Sequence, residues 1–104
     1  MSTKSARKVL EKIVGPLTFG MLLRSYMERE GITQTELAER LGTTIGYVSN
    51  IINERKKVSM AKALEIAITL EEPEKTYVET AIGDALRESG ISCKIELKNF
   101  KIGA

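Results

Sequence analysis

The sequence contains no histidine and no tryptophan, and only one cysteine and two prolines among 104 residues. Without histidine the chain lacks the commonest general base, the commonest metal ligand, and any Ser-His or Cys-His nucleophile pair. An enzyme is therefore not expected, and no catalytic residue, metal site or cofactor is predicted. Carboxylates remain, but each falls on a polar helix face or in a loop, where solvation is the expected role. The single cysteine, Cys93, excludes an internal disulfide and a paired-cysteine metal motif, fits a reducing compartment, and reads as a small buried hydrophobe. No apolar run approaches the roughly 18–20 residues of a membrane span, and the opening "MSTKSARKVLEK" is not followed by a signal-peptide apolar stretch. A cytoplasmic protein is expected.

What is present is a globular composition, 42% hydrophobic and 29% charged, with no low-complexity run or internal repeat. A chain of this length buries roughly 60–70% of its unfolded surface, enough for one modest core. The net charge is only +2, yet it is unevenly spread. Residues 1–62 carry eleven basic and six acidic side chains, residues 63–90 two and seven, and residues 91–104 three and one. A basic front and an acidic back point to a polyanionic partner on one side.

Along the chain, Ala6, Val9, Leu10, Ile13 and Val14 recur at helical spacing until "GP" at 15–16, which predicts a short leading helix. Thr18 is the N-cap of a helix reaching Arg29, with Leu22, Leu23 and Tyr26 inward and Gly31 as its stop. Thr33 with Glu36 forms a capping-box pattern ahead of "QTELAERL", which Gly42 ends. Thr43 or Thr44 caps "IGYVSNIIN", whose Val48, Ile51 and Ile52 face inward. After the basic loop "ERKKV", Ser59 caps "MAKALEIAITL", with an apolar stripe of Ala63, Leu64, Ala67 and Ile68. Pro73 opens a further helix to Ser89, with Tyr77, Val78, Ala81, Ile82, Ala85 and Leu86 on one face and Gly90 as stop. The tail changes period. In "ISCKIELK", Ile91, Cys93, Ile95 and Leu97 alternate with polar residues, the pattern of a half-buried strand. A lone strand leaves its main-chain groups unpaired, so it calls for a second copy of the chain or another protein. The expected fold is thus all-α, a compact helical bundle containing a helix-turn-helix, with a C-terminal β-strand paired to a dimer mate or partner. Its organisation reads as an N-terminal helical arm (1–16), a central helical unit (17–72) and a C-terminal helix and strand (73–104).

Two short helices joined by a glycine-containing turn suit a helix-turn-helix, in which the first braces the second against the DNA major groove. Residues 34–53, "QTELAERLGTTIGYVSNIIN", closely resemble this motif in the Cro and phage-repressor (XRE) family, and the resemblance extends from about Leu22 to Leu70. Ala38 is small where the helices cross, Gly42 supplies a positive φ, and Leu37, Leu41, Val48 and Ile51 lock the pair together. The second helix's other face carries Thr44, Ile45, Gly46, Ser49, Asn50 and Asn53. These are poor choices for merely solvating a helix, where Glu and Lys are better formers.

Thr44, Ile45, Gly46, Ser49 and Asn50 are therefore the candidate base-reading residues. Asn50 has the donor and acceptor that match adenine N6 and N7, Ile45 can touch a thymine methyl, and Gly46 lets the backbone come close. Gln34 matches the family position that clamps a phosphate. With Thr35, Asn53, Arg55, Lys56 and Lys57 it makes up the candidate phosphate-binding set, and Thr44 can bond a phosphate as well as a base. Lys62 and Arg40 read as solvated surface.

The resemblance implies a transcriptional regulator, a repressor that often controls its own gene and binds a double-stranded operator as a homodimer. Tyr77, Ile82, Ile91, Cys93, Ile95 and Leu97 are the candidate dimer or partner surface. A narrower stretch, "VSNIINERKKVSMAKALEIA", resembles HigA-type antitoxins, which repress their own operon and neutralise a toxin, although those proteins commonly have glycine where this chain has Glu54. A toxin protein is accordingly the alternative partner.

Overall fold

In a computed structural model, residues 17–93 and 95–102 are described; the leading helix predicted for residues 5–14 lies outside them. Five helices follow one another: α1 (Phe19–Glu30), α2 (Gln34–Leu41), α3 (Ile45–Ile52), α4 (Met60–Leu70) and α5 (Glu74–Glu88). Local chemistry sets nearly every boundary. Thr18, Thr33, Thr44 and Ser59 each stand in extended conformation and accept a hydrogen bond from the main-chain N–H three residues on. Each such cap is worth about 1 kcal/mol. At Thr33 the capping box is complete, since the Glu36 carboxylate accepts from the Thr33 N–H at 3.2 Å. Gly31 and Gly42, both at φ 64°, end α1 and α2 in the left-handed conformation. The N–H groups of Ile32 and Thr43 then reach back to Met27 and Ala38, closing the last turns.

The core runs through all five helices. Leu23, Leu37, Val48, Ala63 and Ala67 are fully buried, and Phe19 meets Tyr77 edge to face with ring centres 5.5 Å apart. Where α1 crosses the end of α3 the backbones nearly touch. A Cβ on Gly20 would stand 2.8 Å from the Ile51 oxygen and 2.9 Å from that of Ile52, so only glycine fits. The α1 N-terminus is also held from α5. The Phe19 N–H donates to Asp84 Oδ2 at 3.0 Å, Asp84 is paired with Arg87, and Arg87 donates to the Leu17 carbonyl. Asp84 is thus a buried anchor at a positive helix end, contrary to the expectation that the acidic residues are solvated.

Other expectations need correcting. In α4 the buried stripe is Ala63, Ile66, Ala67 and Leu70, while Ile68 is half exposed, so the apolar face keeps Ala63 and Ala67 but is rotated by about a quarter turn from the one expected. Tyr77 is only 2% exposed and belongs to the core, which places it beneath the dimer or partner surface expected there. Among the described residues there is no strand, so the β-strand expected at 91–98 is not formed. A period of two needs a neighbouring strand to complete its ladder, and none is offered. Instead the Leu97 N–H donates to the Glu79 carboxylate at 2.6 Å, laying the tail along α5. Ile95 and Leu97 are half-buried there, while Ile91 and Cys93 are exposed; Cys93 is not the buried hydrophobe its place in the alternation implied. No described helix is long and apolar enough to cross a membrane.

Candidate nucleic-acid interface

The two helices at the site are eight residues each, too short to persist alone in water. They are fixed by what they bury. Leu37 and Ala38 of α2 and Val48, Ile51 and Ile52 of α3 are all nearly inaccessible. With one face of α3 committed in this way, Thr44, Ile45 and Gly46 are left exposed, and Ser49 and Asn50 half-buried beside them. The Thr44 hydroxyl oxygen caps α3 by accepting from the Tyr47 N–H at 3.1 Å, which leaves its hydrogen available to a phosphate or base. Ile45 is half exposed, an apolar side chain at the leading end of the helix.

The basic loop after α3 is folded tightly against it. The Asn50 carbonyl accepts from the main-chain N–H groups of both Arg55 and Lys56, at 2.8 and 3.2 Å. This turn places Glu54 at φ 60°, a conformation that glycine adopts without strain. Arg55, Lys56 and Lys57 are all exposed, and Val58 is buried immediately after them as an anchor. Lys56 and Lys62 both extend over the Tyr47 ring, their ammonium groups 5.6 and 5.9 Å from its centre. Lys62, read from the sequence as plain solvated surface, shares that ring with the basic loop beside the reading helix, and its ammonium also pairs with Glu65 at 3.3 Å on the exposed side of α4. Arg40 donates to the Tyr26 hydroxyl at 2.7 Å and to Glu30 at 2.8 Å. The bond to Glu30, then that to Tyr26, raises the Arg40 pKa, and the bond to Glu72 raises that of Arg29, so both guanidinium groups are already engaged by carboxylates within the protein.

Gln34, the first residue of α2, is half-buried at the rim of an open groove of about 390 Å³ that Arg24, Met27, Gly31 and Ile52 also line. Thr35 beside it is exposed. Asn53 is exposed too, but its side chain is turned onto α3 and donates to Ser49. Arg24 reaches this end of α3 from α1. Sequence reasoning passed over it; its only signal was a charged side chain next to the buried Leu23. Of the candidate partner surface, Ile82 is half-buried on α5 and Ile91 is exposed on the tail; Ile102, outside that set, is a second exposed apolar side chain there.

A braced, capped short helix that presents a small-residue face and is flanked by exposed cations defines a helix-turn-helix DNA-binding domain. Residues 23–75, half of the chain, match the helix-turn-helix family HTH_3, and the protein belongs to this family, of the XRE and Cro or phage-repressor type. It is thus a DNA-binding transcription regulator. Comparison with curated proteins and with solved structures returned no match, so the narrower resemblance to HigA-type antitoxins rests on residues 48–67 alone.

Proposed function

We propose that the protein is a sequence-specific repressor, cytoplasmic and not an enzyme, that binds an operator near its own gene as a homodimer. The observation that carries this reading is the division of α3 into a buried face and a small-residue outer face. Val48, Ile51 and Ile52 are at most 4% exposed, while Thr44, Ile45, Gly46, Ser49 and Asn50 look outward. α3 itself has no Lys or Arg, so affinity comes from Arg55, Lys56, Lys57 and Lys62 on the DNA backbone and from doubling two copies on one site. Two half-sites about 34 Å apart match a two-fold dimer.

The test is fluorescence anisotropy on the DNA upstream of the gene against a scrambled duplex, at two salt concentrations. A preference of about 10³ or more supports an autoregulator. Asn50→Ala is expected to cost about 1–3 kcal/mol on the cognate duplex alone, whereas Lys56→Ala weakens both duplexes alike and flattens the salt dependence. Equal losses on both duplexes for both variants defeat the assignment.

One observation favours a second reading, as the antitoxin of a toxin-antitoxin pair. The tail carries exposed Ile91 and Ile102 and an alternating pattern with no ladder partner, a surface that a toxin can cover as well as a second copy can. Co-expression with the product of the adjacent gene separates the two: a stable complex that relieves toxicity selects the antitoxin, and a homodimer with no such partner selects the solitary repressor.

A further inference from the structure

At the end of α3 three polar side chains form a relay. Asn53 donates through Nδ2 to the Ser49 carbonyl at 2.9 Å and to Ser49 Oγ at 3.2 Å. On its other side, a guanidinium nitrogen of Arg24 lies 3.5 Å from Asn53 Oδ1. The two ends of a carboxamide have the same shape, and here the cation fixes the oxygen toward α1 and the two acceptors fix the NH₂ toward Ser49. Ser49 Oγ is therefore an acceptor on its inner side.

Its hydrogen has a different fate from those of the comparable helical hydroxyls. Thr69 and Thr80 turn theirs back to the carbonyls four residues earlier, at 2.9 and 2.7 Å. Ser49 makes no such bond among the described residues, and its outward hydrogen stays available. The Asn53 amide occupies one of the two lone pairs and polarises the O–H, which strengthens the hydroxyl as a donor. Such a hydroxyl favours an acceptor.

We propose that Arg24 and Asn53 set Ser49 as a hydrogen-bond donor, so that Ser49 selects a major-groove acceptor (guanine O6 or N7, adenine N7, thymine O4) and rejects the N4 amine of cytosine. Asn53 is then a positioning residue, in place of the phosphate ligand that its site after the reading helix suggests. The proposal rests on the major-groove reading given above.

The experiment is selection from a randomised double-stranded DNA library by the wild type, Ser49→Ala, Asn53→Ala and Asn53→Asp, each with a thermal melt and a salt titration. The wild type is expected to disfavour cytosine at one column of its motif by about two- to tenfold, the effect of one hydrogen bond. Ser49→Ala and Asn53→Ala flatten that column and leave the others. Asn53→Asp draws the Ser49 hydrogen inward and turns lone pairs outward, which moves the same column toward cytosine. A merely structural residue would not invert a base preference. If Asn53→Ala keeps the column but weakens every duplex alike with a shallower salt slope, Asn53 is a phosphate ligand and the proposal is overturned. An Asn53→Asp profile with no move toward cytosine overturns the donor assignment, and should either Asn53 variant melt out, an unchanged column in Ser49→Ala does so alone. A wild type that enriches no motif at all overturns the sequence-specific reading itself, a failure visible before any variant is compared.

Discussion

Gly46→Ala is expected to stabilise the protein and weaken its DNA binding, two effects of opposite sign from one methyl group. Gly46 is the second residue of α3, exposed, and its φ is not positive. A Cβ placed there meets only Thr44 Oγ1, at 3.9 Å, an ordinary contact with nothing to displace. In the folded protein the methyl is therefore free of strain, and in the unfolded chain it removes conformational freedom. The full difference between glycine and alanine inside a helix is about 0.5–1 kcal/mol, and a first-turn position takes the lower part of that range, about 0.5 kcal/mol. For a domain of this size this corresponds to a rise in Tm of about 2–4 °C. On DNA the same open space is what the groove edge must occupy. A methyl there holds the helix away and lengthens the contacts that Ser49 and Asn50 make, for a loss of about 1–3 kcal/mol, or about five- to 150-fold in Kd. Thermal denaturation followed by circular dichroism and anisotropy on the preferred duplex measure the two effects on one preparation. A fall in Tm would refute the account of the open helix face, and a rise with unchanged affinity would show that the start of α3 does not approach the DNA.

Gly20→Ala has the opposite character: its Cβ meets two main-chain oxygens at 2.8 and 2.9 Å, neither able to rotate away, so urea denaturation should show a loss of about 1–3 kcal/mol. Glu54→Gly relieves a left-handed residue at φ 60° and should gain about 0.5–1 kcal/mol in the same assay, net of the greater freedom of glycine in the unfolded chain. Tyr77 supplies an alkaline limit. Burial, then the neighbouring Glu72 carboxylate, pushes its phenol above the ordinary value of 10.0, so its contribution is whole below that pH. As the pH rises further the unfolded chain ionises while the folded one does not, and stability falls by up to about 1.4 kcal/mol per pH unit. Tyr77→Phe should remove one group's share of that slope in urea midpoints taken across this range; an unchanged slope would contradict the burial argument.

The parts of this fold legible in the sequence are those decided within a few residues. Thr33 with Glu36, Thr44, Ser59, and the left-handed Gly31 and Gly42 fix helix ends by hydrogen bonds that span one turn, and all appear where local chemistry puts them. The same holds for the inward face of α3, because eight residues with Val48, Ile51 and Ile52 allow one buried side. What escaped depends on contacts between distant segments. Asp84 is 65 residues from the Phe19 N–H that it receives, and nothing near it in the sequence announces a helix N-terminus waiting there. The apolar residues of α5 read as one face, Tyr77, Val78, Ala81, Ile82, Ala85 and Leu86, but six positions at this spacing are wider than α1 and α4 cover, and Ala85 is left exposed. The structure buries Tyr77, Val78 and Ala81, and with them Thr80 and Asp84. The tail alternates as a strand does, but a strand is a property of two segments, and among the described residues no second one pairs with it.

These long-range contacts explain how α3 can carry a face so unsuited to a helix. Gly46, Ser49 and Asn50 all have weak helix propensity, and in an isolated peptide of eight residues they would leave no helix. Order comes from elsewhere: from Val48 and Ile51 in the core, from the Thr44 cap, and from Gly20, whose missing side chain lets α1 come within van der Waals reach of the last carbonyls of α3. Once the inner face and both ends are held, the outer residues other than the capping Thr44 are free of any such task, and their identities can follow the shape and hydrogen-bonding pattern of a groove. The cations are then best placed beside the helix, in the loop from Arg55 to Lys57 and on Lys62, where they attract phosphates without standing between the reading residues and the bases. It follows that substitutions at Ile45, Ser49 or Asn50 should change which DNA is bound with little effect on stability, while substitutions at Gly20 or Val48 should reduce binding to every sequence in proportion to the folded fraction lost.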